Sequence, residues 1–111
     1  MVAYAAIHKA GAVAVPPNIR LTEPELERLL GHAEVTVLLT DPALAPSAQR
    51  VVASLPTVSH LLTAPGPNGD APEKGEPWSW GENAGDDGSE FQVPVGAEDL
   101  ADILYTSGTT G

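Results

Sequence analysis

A chain of 111 residues with 42% hydrophobic side chains has room for one modest core and leaves a complete multi-substrate enzyme cramped. It contains no cysteine, which rules out disulfides, thiolate metal sites and a cysteine nucleophile. The net charge is −10, and from residue 70 onward Lys74 alone faces ten acids, so a phosphate backbone is repelled and no nucleic-acid partner is expected.

In chain order, "AYAAIHKA" at residues 3–10 predicts the end of a helix, with Ala3, Ala6, Ile7 and Ala10 on one side and Gly11 as its stop. "AVAV" at 12–15 predicts a short buried strand, ended by Pro16 and Pro17, which cannot donate ladder hydrogen bonds. The best-specified helix follows. Thr22 is its N-cap, Glu25 completes a capping box, Leu21 and Leu26 form a hydrophobic staple, and Pro24 falls in the tolerant first turn. Leu26, Leu29, Leu30 and Ala33 make its apolar stripe. "EVTVLLT" at 34–40 predicts a strand, turned by Asp41 and Pro42; a helix is expected within 47–54 and a third strand at 57–63.

Alternating helices and strands joined by short links predict an α/β fold with a mostly parallel sheet covered by helices. Residues 64–92 interrupt it with an acidic Gly/Pro-rich stretch that reads as a surface loop or linker. Structure is expected to resume over 93–111, where "ADILYTS" reads as a buried strand running into "YTSGTTG". No apolar run approaches the roughly 20 residues that span a bilayer, and the start lacks signal-peptide character, so a cytoplasmic protein without a membrane span is expected.

A strand opening into a loop of glycines and hydroxyls is the layout of a phosphate cradle, because glycine lets backbone N–H groups turn inward and hydroxyls add donors without bulk. The Walker A spacing fails here, since only two residues separate Gly108 from Gly111 and no lysine follows. The dinucleotide fingerprint fails because its first glycine would be Thr106. A polar tail without a role is the plain alternative. His8, His32 and His60 fall in no metal-binding spacing and read as surface or packing residues, so no metal site is expected. Trp78 and Trp80 are expected to fold back onto their own domain, and Asp86, Asp87 and Glu90 to form a solvated acidic loop. Glu98, Asp99 and Asp102 read as strand-entry residues, and no histidine is placed by sequence to activate Ser107, so no catalytic residue is assigned.

"DLADILYTSGTTG" resembles the phosphate-loop signature of the adenylate-forming enzymes, the AMP-dependent synthetases and ligases, approximately Y/F-T-S-G-S/T-T-G-x-P-K-G after a buried strand. Residues 8–41, "HKAGAVAVPPNIRLTEPELERLLGHAEVTVLLTD", independently resemble the family's preceding block, in wording closer to acyl- or aryl-CoA ligases than to peptide-synthetase domains. The resemblance implies part of the large N-terminal domain and a two-step reaction. A carboxylic acid attacks ATP to give an acyl-adenylate and pyrophosphate, and a thiol, commonly that of coenzyme A, then takes the acyl group, with Mg2+ accompanying the ATP. It implies that Thr106, Ser107, Thr109 and Thr110 supply hydroxyl donors to the β and γ phosphates, that Gly108 and Gly111 form the backbone hinge, and that Tyr105 packs. The family's lysine after the loop, its acyl pocket and its magnesium-binding glutamate have no counterpart in these residues. The expectation is therefore a fragment inactive on its own, with a small non-catalytic phosphate- or partner-binding module as the alternative.

Overall fold

The computed structural model describes residues 2–64 and 89–106, and the chain divides into two units: Met1–Leu21 with Ser89–Gly111, and Thr22–Gly88. The expected linker therefore lies mostly outside the described residues, Trp78, Trp80, Asp86 and Asp87 included.

The unit spanning Thr22–Gly88 holds α2 (Glu23–His32), β1 (Val37–Thr40), α3 (Ala45–Ala53) and β2 (His60–Thr63), while α1 (Val2–Lys9) belongs to the other. β1 and β2 pair in parallel, with Val37 opposite His60 and Thr40 opposite Thr63, and α3 is the connection between them. A parallel pair requires such a crossover, and the helix that makes it must cover the sheet. The parallel α/β arrangement expected from the alternating pattern is thus the one observed.

The capping box forms: the Glu25 carboxylate accepts from the Thr22 backbone N–H at 2.8 Å and from its hydroxyl at 2.8 Å, and Pro24 is accommodated in the first turn. Both contacts hold the Glu25 carboxyl below the usual carboxylate range, the backbone N–H contributing most. Leu30, Val51 and Leu55 form the buried core between α2 and α3, with Leu26, Leu29, Val35, Leu38 and Val58 packed against them. Gly31 leaves room there, since a Cβ would stand 3.4 Å from Leu55 Cδ2. At the rim Arg50 makes a forked contact to Glu23, Nη2 to Oε1 at 2.6 Å and Nε to Oε1 at 3.0 Å, tying the first turn of α2 to α3.

Three boundaries differ from expectation. β1 begins at Val37 instead of residue 34, because Glu34 is spent on ending α2: its φ is +54°, its N–H reaches Gly31 O at 3.1 Å, and Val35 N–H reaches Leu30 O at 3.1 Å. This is a Schellman ending with glutamate where glycine is usual. Left-handed backbone strains a residue with a Cβ, so Glu34→Gly should raise stability by about 0.5–1 kcal/mol in urea unfolding, and an unchanged midpoint would count against a strained turn. α3 starts at Ala45, ahead of the expected residue 47, because Asp41 Oδ1 accepts from Leu44 N–H at 2.8 Å and Pro46 sits in the permissive first turn. β2 starts at His60 instead of residue 57, since Val58 N–H is still bonded to Leu55 O in the turn that follows α3.

Thr63, fully buried at the end of β2, has a hydroxyl with no hydrogen-bond partner among the described residues. Burying a hydroxyl without a partner costs about 1–3 kcal/mol. Thr63→Val keeps the shape and the β-branch, so a gain of about 1 kcal/mol is expected in thermal unfolding. A loss would mean that the hydroxyl is bonded after all.

In the unit formed by Met1–Leu21 and Ser89–Gly111, α1 ends in a second Schellman motif. Gly11, at φ +72°, donates to His8 O at 3.0 Å, and Ala12 donates to Ile7 O at 3.0 Å. The half-buried side of α1 carries Ala3, Tyr4, Ile7 and His8, whereas Ala6 and Ala10 of the expected stripe are exposed. Among the described residues the expected strands at 12–15 and 101–107 meet at one parallel bridge, Ala14 to Asp102. Ala14 is buried at 1% exposure, but Leu100 and Leu104 stand open at 62% and 70%, so the second segment is not the buried strand its composition suggested.

Candidate functional site

Of the six residues expected to hold phosphate, Thr106 is described and is exposed; Ser107, Gly108, Thr109, Thr110 and Gly111 lie outside the described residues. What can be built from the residues upward is the segment that delivers the chain to Thr106.

That segment is held by backbone and by side chain. Ala14 N–H donates to Ala101 O at 2.9 Å and Ile103 N–H donates to Ala14 O at 2.9 Å, so Ala14 grips the backbone on either side of Asp102. On α1, Tyr4 and His8 stand one turn apart and meet edge to face, with ring centroids 4.6 Å apart and planes at 80°. His8 Nε2 lies 2.9 Å from Asp102 Oδ1 and 3.2 Å from Ala101 O. Both of those partners are acceptors when the carboxyl is ionised, so Nε2 must carry a proton and donate. The Tyr4 hydroxyl is the other polar group of α1 that acts on the same carboxylate. These contacts hold the Asp102 carboxyl below its usual range, the Tyr4 hydroxyl contributing most and His8 next, and the carboxylate in turn raises the Tyr4 hydroxyl above its usual value. His8 and Asp102 are each about one-third exposed, which leaves the cluster open to solvent.

Just upstream, Gly96 N–H donates to Asp99 Oδ2 at 2.8 Å and Asp99 N–H donates to Gly96 O at 3.1 Å. This closes a tight turn before the segment begins, so Asp99 works as a turn residue. Lys9 lies 5.1 Å from the centre of the Phe91 ring and 3.8 Å from Glu90, contacts that fasten the start of residues 89–106 to α1. The cluster of Tyr4, His8 and Asp102 was missed by sequence reasoning, which took the histidine for packing and the aspartate for strand entry. The available signal was a tyrosine and a histidine four residues apart on one helix face.

In the unit spanning Thr22–Gly88, an open groove of about 420 Å3 is lined by Pro24, Glu27, Arg28, Gly31, His32 and Leu55. Ser59 Oγ and His60 Nδ1 stand 2.9 Å apart. Among the described residues no three acidic or histidine side chains converge to hold a metal ion, and no helix is long and apolar enough to cross a membrane.

The sequence profile of the AMP-binding enzyme family matches residues 1–111. The chain is 36% identical over 109 residues to a long-chain-fatty-acid–CoA ligase of Thermus thermophilus, covering 98% of this chain and 19% of that protein. It is 33% identical over 103 residues to a feruloyl-CoA synthase of an Amycolatopsis species, covering 93% of this chain and 17% of that one. The fold is similar to that of a mutant form of coronafacic acid ligase from Pectobacterium brasiliense, with a TM-score of 0.76 at 20% identity, over 93% of this chain and 20% of that structure. An ATP-bound RpMatB–BxBclM chimera matches with a TM-score of 0.67 at 29% identity, over 99% of this chain and 20% of the chimera. The chain thus spans about a fifth of the length of the relatives it matches. With the profile matching from the first residue to the last, and with the α/β arrangement shared, the chain belongs to the AMP-binding enzyme family, the adenylate-forming synthetases and ligases.

Proposed function

We propose that these residues form part of an ATP-dependent ligase that activates a carboxylic acid as its acyl-adenylate and passes the acyl group to the thiol of coenzyme A. The reading is carried by the family match over the whole chain together with "TSGTTG" after a segment pinned by Ala14 and His8. Coenzyme A is supported by relatives that are themselves CoA ligases and synthases. Use of ATP and coenzyme A as substrates supports a cytoplasmic location. In the first step a carboxylate oxygen bonds to the α-phosphorus and pyrophosphate departs. In the second the thiol sulfur bonds to the acyl carbon, losing its proton, and AMP departs.

Thr106, Ser107, Thr109 and Thr110 would donate hydroxyl hydrogen bonds to the β and γ phosphates, with Gly108 and Gly111 letting backbone N–H groups turn to the same oxygens. Donors at that position stabilise the charge that grows on pyrophosphate as it leaves. Magnesium, which the family implies beside the triphosphate, has no protein ligands assigned among the described residues. The isolated 111-residue chain, spanning a fifth of its relatives and exposing Ile19, Leu100 and Leu104 at 80%, 62% and 70%, is expected to be inactive alone. The test is ATP–pyrophosphate exchange by the whole protein carrying these residues. Ser107→Ala and Thr109→Ala should each lower kcat/KM for ATP by about ten- to a hundredfold. Unchanged exchange in both variants would overturn the phosphate-loop assignment, and exchange by the 111-residue chain alone would overturn its expected inactivity.

A further inference from the structure

The cluster of Tyr4, His8 and Asp102 does more than close a helix against a segment, because of where it sits in the chain. Asp102 is four residues ahead of Thr106. Its backbone neighbours Ala101 and Ile103 are both bonded to Ala14, so residues 101–103 are fixed by backbone on one side and by α1 side chains on the other. Beyond them Leu104 and Tyr105 are exposed at 70% and 39%. The direction in which the chain leaves for Thr106 is therefore set at Asp102. His8 reaches both the Asp102 carboxylate and Ala101 O while packing edge to face on Tyr4, so moving the segment along α1 breaks the His8 contacts.

We infer that Asp102, held by His8, is a positioning residue for the phosphate-binding segment and fixes where Thr106 begins it. The inference rests on the phosphate-loop reading proposed above. None of the three side chains touches ATP. They act through the backbone of residues 101–106, and the effect is large because a displacement of about 1 Å at a reacting group can cost about a hundredfold in rate.

The experiment uses the whole protein carrying these residues and measures ATP–pyrophosphate exchange with ATP and carboxylic acid varied separately. Asp102→Ala should raise KM for ATP about tenfold while KM for the acid stays within about twofold. Asp102→Asn keeps an acceptor oxygen for His8 Nε2 and should bring KM for ATP back to within about threefold of the parent. His8→Phe keeps a ring against Tyr4 but removes the donor to Asp102 and should raise KM for ATP about threefold, which keeps the test decisive if Asp102→Ala fails to fold. Should Asp102→Ala and His8→Phe leave KM for ATP unchanged while Ser107→Ala raises it, the positioning role is overturned and the phosphate loop stands. An equal rise of KM for both substrates would mean general loosening and would also overturn it. If Ser107→Ala and Thr109→Ala have no effect, the phosphate loop falls and this inference with it.

Discussion

Gly11→Ala is expected to destabilise the unit formed by Met1–Leu21 and Ser89–Gly111 by about 2–5 kcal/mol, from two additive causes at one atom. The first is backbone: at φ +72° a residue with a Cβ is strained by about 1–2 kcal/mol. The second is space: the added Cβ would stand 2.6 Å from Val93 Cγ1, a separation that forces the valine side chain or the turn to move. Overpacking of this kind costs about 1–3 kcal/mol. Amide hydrogen exchange at Ala14 and Ile103, whose N–H groups make the bonds around Asp102, reads the loss directly. Combining Gly11→Ala with Val93→Ala should recover the steric part and leave the backbone part, a coupling of about 1–3 kcal/mol in a double-mutant cycle. Purely additive variants would show that the valine does not crowd Gly11.

Leu30→Ala is expected to cost the Thr22–Gly88 unit about 2–4 kcal/mol. Leu30 is 1% exposed and packs with Val51 and Leu55, so truncation removes buried methyl groups and leaves a cavity between two helices that are tied together at the Arg50–Glu23 contact. Against a typical total of about 5–15 kcal/mol for a whole domain, that is a large share. Exchange at the Ser59 and Ala64 amides, bonded to Thr36 O and Thr40 O beside the parallel strands, should accelerate by about two orders of magnitude or more, and a change of less than tenfold would mean that this core does not hold the strands. By contrast Arg50→Ala removes an exposed contact and should cost under about 1 kcal/mol, which makes it the natural control.

What could be read from the sequence divides along the distance over which the responsible interactions act. The start of α2 was legible because Thr22, Pro24 and Glu25 form its cap within four residues. The stop after α1 was legible in Gly11, whereas the stop after α2 was not, because Glu34 occupies the left-handed position and its run into "VTVLL" imitates a strand. The mount at Asp102 was illegible for a different reason: its partners lie 94 and 98 positions away in the chain, and no local pattern announces a pairing of that range. The depth of residues 100–105 was misjudged because an apolar strand composition says that a surface can be covered, and not what covers it.

The bridge from Ala14 to Asp102 also sets the order in which this chain can fold. Its two halves bracket the whole Thr22–Gly88 unit, whose helices and strands meet through short connections, so that unit has all its partners before residue 101 leaves the ribosome. Closing a long loop carries an entropic cost that grows with the logarithm of its length, and a folded insert shortens the effective loop. During synthesis α1 must wait, its histidine without its carboxylate, until Asp102 arrives to meet it.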